Sequence, residues 1–158
     1  TVAFLVQKRI LLASPDGREQ GTVPLPVGPL GVVWSPDGAA LYASLKDGKV
    51  ARVVRSGTRW KKDTEWTLDT VGPDGEPDVA AGTAGRGRQR NDPQVAGLAL
   101  SPDGRRLYAA LGIRNAVAVV DTGTGKVLRS VATGAAPYHV ALSPDGRTLA
   151  VSNRGGAE

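Results

Sequence analysis

The sequence of 158 residues contains no cysteine and no methionine. The absence of cysteine excludes disulfide bonds, thiolate nucleophiles and cysteine-ligated metal sites. No run of about 18 apolar residues is present, so the sequence predicts no transmembrane segment. Residue 1 is threonine, and no signal-peptide pattern of charged, apolar and small residues follows it. We therefore expect a matured product or a part of a longer chain.

Histidine and aromatic residues are also scarce, with one histidine, three tryptophans, three tyrosines and one phenylalanine. The net charge of +5 would suit an anionic partner. However, the basic residues are scattered, and the one tight group, Arg86, Arg88 and Arg90, is not interleaved with aromatic side chains as a base-stacking surface would be. The sequence therefore predicts no nucleic-acid partner.

The sequence is rich in turn residues, with 21 glycines and 11 prolines, and it contains an internal repeat. Segments 29–45, 95–111 and 137–153 align without gaps, and each holds Ser-Pro-Asp-Gly between two short apolar runs. Proline fixes φ, aspartate bonds to nearby amides and glycine accepts a positive φ, so this tetrapeptide predicts a tight turn between strands. A period of about 40–45 residues with several short strands is typical of a β-propeller blade.

A fourth Ser-Pro-Asp-Gly, beginning at Ser14, does not belong to the same series. A shift of about 108 residues aligns it with 121–126, so we predict that 9–24 forms the third and fourth strands of an earlier blade. Counting strands gives about three, four, four and two. We expect blades to end near the ranges 1–28, 29–94, 95–136 and 137–158, with a loop insertion at about 56–93.

This count of about thirteen strands is too small for a closed ring, since propellers have about four to eight four-stranded blades. We therefore expect an all-β fold, a β-propeller of four-stranded antiparallel blades. It would be present as an open arc of about three to four blades from a larger ring of about seven. The rest of that propeller would be the first partner of this chain.

The repeats resemble a known family. The run VAVVDTGTGKVLRSVATGAAPYHVALSPDGRTLAVSN at 117–153 resembles the YVTN-type β-propeller repeat, whose Tyr-Val-Thr-Asn strand is matched loosely by Ala-Val-Ser-Asn at 150–153. Pro-Tyr at 137–138 and VSNRGG at 151–156 are similar to the propeller half of bacterial two-part proteins. In those proteins an alkaline-phosphatase-like phosphoesterase domain follows the YVTN propeller. The resemblance implies an extracellular or periplasmic location and, as a partner, a phosphoesterase domain beyond residue 158.

Two short motifs resemble catalytic signatures, but the sequence favours a turn for both. Asp-Thr-Gly at 121–123 resembles half of an aspartic-protease pair, yet that chemistry needs two such carboxylates and the sequence has one triplet. Gly-Thr-Gly-Lys at 123–126 resembles a phosphate loop, yet Val127 stands where a serine or threonine is required, and a strand is predicted to follow. The repeat register places both motifs in the hairpin before a fourth strand.

No catalytic, cofactor-binding or metal-binding residue is assigned from the sequence, and any cofactor is unknown. The single histidine stands at the repeat position of Gly31 and Gly97, where an innermost strand begins. Polar residues near such positions would line the central channel of the propeller. The predicted channel-lining ligand contacts are His139, Asn115, Arg114 and Asn153.

The insertion raises two further questions. Trp60 and Trp66 flank a charged hairpin, and we favour a role in fastening the hairpin over a contact surface. Asp74, Glu76 and Asp78 alternate in the loop that follows, but their spacing does not match a calcium-binding loop. Trp34 stands at the position of two leucines of the other repeats, so we predict that it packs in the core.

The sequence favours a propeller that binds or scaffolds beside a secreted or periplasmic phosphoesterase domain, with no catalysis by residues 1–158 themselves. Two alternatives remain open. One is a propeller enzyme of the lactonase or the quinone- or haem-dehydrogenase type, and the other is a cell-surface adhesion propeller. The fold alone does not separate them, because propellers host many functions.

Overall fold

A computed structural model describes residues 1–6, 8–25, 30–71 and 92–155. Within these ranges the chain forms thirteen β-strands and no helix, which confirms the all-β prediction. The strands build four antiparallel sheets of three, four, four and two strands, in chain order. This is the strand count that the repeat predicts.

Each sheet contains consecutive strands. Sheet one contains β1 (Val2–Val6), β2 (Arg9–Ala13) and β3 (Glu19–Pro24). Sheet two contains β4 (Val32–Trp34), β5 (Ala40–Leu45), β6 (Lys49–Ser56) and β7 (Arg59–Thr67). Sheet three contains β8 (Val95–Leu100), β9 (Arg106–Leu111), β10 (Ala116–Asp121) and β11 (Val127–Ala132). Sheet four contains β12 (Pro137–Leu142) and β13 (Leu149–Asn153).

The four Ser-Pro-Asp-Gly turns occupy the two predicted kinds of position. Those at Ser35, Ser101 and Ser143 join the first strand of a sheet to the second, and in each the serine N–H donates to the carbonyl five residues later. The turn at Ser14 joins β2 to β3, as 121–126 joins β10 to β11. Gly17 and Gly125, which the shift of 108 residues aligns, both have positive φ, at 86° and 73°. The predicted hairpin position of the Ser14 turn is therefore confirmed. The turn is one residue shorter than that at 121–126, because the Ser14 N–H donates to the Arg18 carbonyl and the Asp121 N–H to the Lys126 carbonyl. Along β2 the shift is thus 107 residues rather than the predicted 108, and Leu12 corresponds to Val119.

The core lies between successive sheets. Ile10 and Leu12 of sheet one pack against Leu41 and Val53 of sheet two. A second buried cluster joins sheets two and three, and a smaller one joins sheets three and four through Val140. Each sheet buries a face because it meets a neighbour, which is how propeller blades are stabilised.

The turns also set how the sheets meet. A Cβ on Gly104 would lie 3.3 Å from Cδ of Pro36, and one on Gly146 would lie 3.0 Å from Cδ of Pro102. The same proline-to-glycine contact therefore joins sheets two and three and sheets three and four. We call this end of the sheets the SPDG end. The opposite end carries the turns between second and third strands and the connections between sheets, and we call it the connection end.

The first strands of neighbouring sheets converge closely near the connection end. A Cβ on Gly97 would lie 2.7 Å from the carbonyl oxygen of Tyr138 and 2.8 Å from Cα of His139. Gly31 approaches the carbonyl oxygen of Ala96 in the same way, at 2.6 Å. Real Cβ atoms do not come this close, so glycine at these positions lets the strands converge.

The hairpin at the start of the insertion is longer than its counterpart in sheet three. Strands β6 and β7 have eight and nine residues, whereas β10 and β11 have six each. Trp60 meets Trp34 edge to face with ring centroids 5.4 Å apart, and Trp66 lies over Tyr42 at 5.7 Å. Both rings pack against the buried clusters, which confirms that they fasten the hairpin. Residues 74–90, with the three acidic and three basic residues named above, lie outside the described ranges.

Candidate functional site

The four residues predicted as ligand contacts all lie at the connection end. Arg114 and Asn115 belong to the turn between β9 and β10. His139 lies at the start of β12, and Asn153 lies at the end of β13, where it is in register with Pro137. The structure thus brings these four residues to one end of the sheets, but it gives each of them its own local partners.

Arg114 is held by a carboxylate from the segment that follows β7. Its Nε and Nη2 donate to the two carboxylate oxygens of Asp69 at 2.7 and 3.0 Å, and only 8% of its side chain is exposed. Burial alone would raise the pKa of Asp69, but the hydrogen bonds from Arg114 and from the Thr70 N–H outweigh it and hold the pKa below its usual value. The pair ties the segment after β7 to sheet three, so this edge of the guanidinium is already occupied.

Asn115 fixes the connection between sheets three and four. Its φ is +51°, a conformation that asparagine tolerates better than most residues. Its side-chain Oδ1 accepts from the Ala136 N–H at 2.9 Å, and its carbonyl accepts from the Thr133 N–H at 2.9 Å. Asn153 packs against the same connection, where a Cβ on Gly134 would lie 2.6 Å from its Nδ2.

His139 is exposed, and its backbone repeats a contact of sheet two. The His139 N–H donates to Ser152 Oγ at 3.3 Å, as the Gly31 N–H donates to Ser44 Oγ at 2.5 Å. The neighbouring Tyr138 ring carries the Arg154 guanidinium 4.1 Å from its centroid. Position 139 is therefore a structural position of the repeat, with an exposed imidazole added in sheet four.

The Asp-Thr-Gly motif at 121–123 is a turn, as the sequence favours. Asp121 Oδ1 accepts from Thr124 Oγ1 at 2.8 Å and from the N–H groups of Thr124 and Gly123 at 2.8 and 3.1 Å. These bonds, first the one from the Thr124 hydroxyl, lower the pKa of Asp121. The residues of the phosphate-loop-like motif lead into strand β11 rather than into a helix, which confirms the turn interpretation of that motif too.

A polar groove of about 500 Å³ opens between sheets two and three at the SPDG end. Pro36-Asp37 and Pro102-Asp103 line it from the two turns, and Tyr42, Arg52, Thr122 and Gly123 are among the residues of its walls. The sequence analysis did not select any of these as a ligand contact.

Arg52 is the unusual member of this groove. Its Nη1 donates to Asp63 Oδ2 at 3.3 Å, and 38% of its side chain is exposed. Its Nε is buried, and within the described ranges no group accepts a hydrogen bond from it. A buried donor without an acceptor costs about 1–3 kcal/mol, so native structures seldom keep one without a reason.

A smaller cavity of about 180 Å³ lies at the connection end between the same two sheets. Its lining is mixed: Leu30, Leu45, Val95 and Ile113 are apolar, and Lys46, Asp92 and Gln94 are polar. One carboxylate oxygen of Asp92 already accepts from the N–H groups of Gly48 and Gln94 at 2.9 and 2.8 Å.

Two further kinds of site were sought within the described residues. These residues contain no group of three or more histidine, aspartate or glutamate side chains that could hold a metal ion. Nor do they contain a helix that is long and apolar enough to cross a membrane.

Comparisons with known proteins identify the fold. No family model matches the sequence, and no curated protein matches it significantly. Solved structures do match. Hydrazine synthase of Kuenenia stuttgartiensis is 24% identical, with a TM-score of 0.68 over 94% of this chain and 37% of that one. A proposed 6-phosphogluconolactonase from Bacteroides uniformis is 25% identical, with a TM-score of 0.64 over 93% and 41%.

The β-propeller domain of Cps50 (Swd1) from Myceliophteria thermophila is 14% identical, with a TM-score of 0.70 over 95% of this chain and 44% of that one. The chain thus spans less than half the length of the structures it matches. The strand order, the packing of the sheets and these likenesses agree: the chain folds as an open arc of β-propeller blades.

Proposed function

We propose that this chain belongs to a propeller that binds or scaffolds, in a secreted or periplasmic bacterial protein whose phosphoesterase domain follows the propeller. The YVTN-type pattern at 117–153 supports the proposal. Blade ranges of 1–28, 29–94, 95–136 and 137–158, within a ring of about seven blades, belong to the same proposal. The other blades of the ring are the first partner, and the phosphoesterase domain is the second.

The way in which polar groups are used at the connection end carries this proposal. Arg114 and Asn115 direct their side-chain hydrogen bonds to Asp69 and to the backbone of the next connection. Within the described ranges, no carboxylate is hydrogen-bonded to His139, so no base and orienting acid are assembled there. General acid–base or nucleophilic catalysis needs such groups within hydrogen-bond reach. A binding role needs only an accessible surface.

A lactonase is the second candidate, because one matching structure is described as a proposed 6-phosphogluconolactonase. In that case the exposed His139 would take part in lactone hydrolysis, together with groups from further blades. This candidate predicts that hydrolysis of a phosphorylated sugar lactone depends on His139.

Two hydrolysis assays separate these functions. Residues 1–158 and a longer protein that continues beyond residue 158 are each given p-nitrophenyl phosphate and 6-phosphogluconolactone. We expect residues 1–158 to hydrolyse neither, and the longer protein to hydrolyse the phosphate ester. Ester or lactone hydrolysis by residues 1–158 that is lost in His139→Ala or Asp121→Asn would overturn the proposal. A longer protein without phosphoesterase activity would also contradict it.

A further inference from the structure

The groove between sheets two and three contains a charged residue that the repeat does not require. We propose that this groove binds a short extended segment of a partner protein in which one aspartate or glutamate lies between basic residues. The inference deepens the proposed binding role by naming the chemistry of a partner, and it rests on that role alone, not on the phosphoesterase domain.

Arg52 departs from the pattern of the other sheets. In each of the first three sheets the third strand has an irregularity where it pairs with the fourth, and the residue just before it faces the next sheet or lies in register with a tyrosine of the second strand. That residue is aliphatic in sheets one and three: it is Leu12 in sheet one and Val119, which faces Tyr108, in sheet three. In sheet two Tyr42 faces Arg52. Packing between sheets is thus achieved elsewhere with an aliphatic side chain, so it does not account for a guanidinium in sheet two.

The guanidinium of Arg52 retains an unused edge. Asp63 accepts from Nη1, and no residue that the structure describes accepts a hydrogen bond from Nε. The same chain shows how that edge is satisfied, because Asp69 binds Nε and Nη2 of Arg114 with both carboxylate oxygens. Planar two-point contacts of this kind are the strongest that arginine makes with a carboxylate. Because Nε is buried while 38% of the Arg52 side chain is exposed, a ligand carboxylate would complete Arg52 in the same way once the side chain turns its Nε edge toward the groove.

Tyr42 adds a donor to the floor of the groove. The residue is 4% exposed, and burial raises the pKa of its hydroxyl, so the phenol stays protonated at neutral pH. Thr122 stands on the opposite wall, with its hydroxyl donating to the Gly104 carbonyl at 2.8 Å. The floor therefore combines a cation with a neutral donor, which suits one carboxylate.

The rim of the groove has the opposite charge. Asp37 and Asp103 are both fully exposed, and the Ser35 and Ser101 hydroxyls, with backbone N–H groups, lower the pKa of the two carboxyls. Both rims are therefore negative at neutral pH. A simple anion would be repelled there, whereas basic side chains on either side of the ligand carboxylate would be attracted. Charge complementarity thus selects a mixed sequence, basic–acidic–basic.

Short peptides test this chemistry directly. Acetyl-Lys-Asp-Lys-amide is titrated into the protein by isothermal titration calorimetry. Acetyl-Lys-Asn-Lys-amide is the control peptide without the central carboxylate, and acetyl-Ser-Asp-Ser-amide is the control peptide without the flanking cations. Capped ends remove terminal charges that would confuse the comparison. We expect the Lys-Asp-Lys peptide to bind at least about tenfold more tightly than either control peptide, because each control peptide loses one set of charged contacts.

Two protein variants locate the binding. Arg52→Gln should weaken binding of the Lys-Asp-Lys peptide about tenfold. Arg59→Gln, at an exposed position at the start of β7 and outside the groove, should leave binding unchanged. Arg52→Val introduces the residue type of Val119 in sheet three, and this variant replaces the glutamine variant if that one does not fold. Circular dichroism checks the fold of each variant.

Several outcomes would overturn the proposal. They are equal binding of the Asp and Asn peptides, full binding by both folded Arg52 variants, and no heat with millimolar peptide. Displacement of the peptide by equimolar inorganic phosphate would indicate a small-oxyanion site instead and would overturn it too. None of these results depends on the hydrolysis assays, so a failed phosphoesterase proposal and a failed groove proposal remain distinguishable.

Discussion

The two ends of the sheets use arginine in opposite ways. At the connection end, the Arg114 side chain is almost buried, and Asp69 of the segment after β7 accepts from its Nε and Nη2. At the SPDG end, Arg52 donates one hydrogen bond to Asp63, and its buried Nε has no acceptor in the part of the chain that the structure describes. The comparison teaches that a polar residue in a turn can serve the fold entirely, whereas one within a regular strand can retain unused binding capacity.

We expect the largest loss of stability from a substitution where the strands converge tightly at the connection end. Gly97→Ala places a Cβ 2.7 Å from the Tyr138 carbonyl oxygen, and backbone on both sides prevents an easy shift. We expect a loss of about 3 kcal/mol or more in the free energy of unfolding. Gly123→Ala is the matched control, because its Cβ would meet only Asp121 Oδ1, at 3.4 Å. Urea unfolding of both variants measures the difference, and equal stability would show that the strands do not converge as described.

Replacement of Asn115 should lower the free energy of unfolding by a smaller amount, and this loss can be divided into two parts. Asn115→Ala loses the bond to the Ala136 N–H and puts alanine at a positive φ, and we expect a cost of about 2 kcal/mol. Asn115→Gly loses the bond but accepts the φ, so it should cost about half as much. Thermal unfolding with both variants is the measurement. If glycine is as costly as alanine, backbone conformation contributes nothing at this turn.

Acid should weaken the contact between Arg114 and Asp69 at the connection end. The pKa of Asp69 is lower in the folded chain than its ordinary value of 3.8, so its contribution is present above that pH and is lost as the pH falls through the folded value. Unfolding measured from about pH 6 to pH 2 should therefore show a falling stability in this window. Arg114→Met removes the partner of Asp69 and should reduce the slope. An unchanged slope would mean that other carboxyls, such as those of the turns, account for the acid sensitivity.

Much of the fold was predictable because its signals are local. The tetrapeptide at Ser35, Ser101 and Ser143 fixes the turn, and the apolar runs around it fix the strands. The shift of 108 residues placed Ser14 in the other hairpin, and the positive φ of Gly17 and Gly125 confirms it. The four predicted ligand contacts were brought to one end because the repeat fixes where each strand begins.

The groove was not predictable in the same way. The turn between β5 and β6 is one residue shorter than the turn between β9 and β10, so Arg52 and Val119 do not align in the ungapped repeat. Their equivalence appears only when strand pairing shows that both face a tyrosine. The partner of Arg114 was missed for a related reason, because Asp69 lies 45 residues away in sequence.

The comparison between the two arginines can be tested most directly by replacing each with methionine, which keeps most of the apolar stem and removes the guanidinium. Arg114→Met should lower the free energy of unfolding by about 1–2 kcal/mol, because it removes two hydrogen bonds between a largely buried guanidinium and a half-exposed carboxylate. Arg52→Met should change it by less than about 0.5 kcal/mol or raise it, because an unsatisfied buried donor is removed. Urea unfolding of the two variants at neutral pH gives both values. Equal losses would contradict the account, since Arg52 would then be as structural as Arg114 and the groove would have no unused cation to offer a ligand.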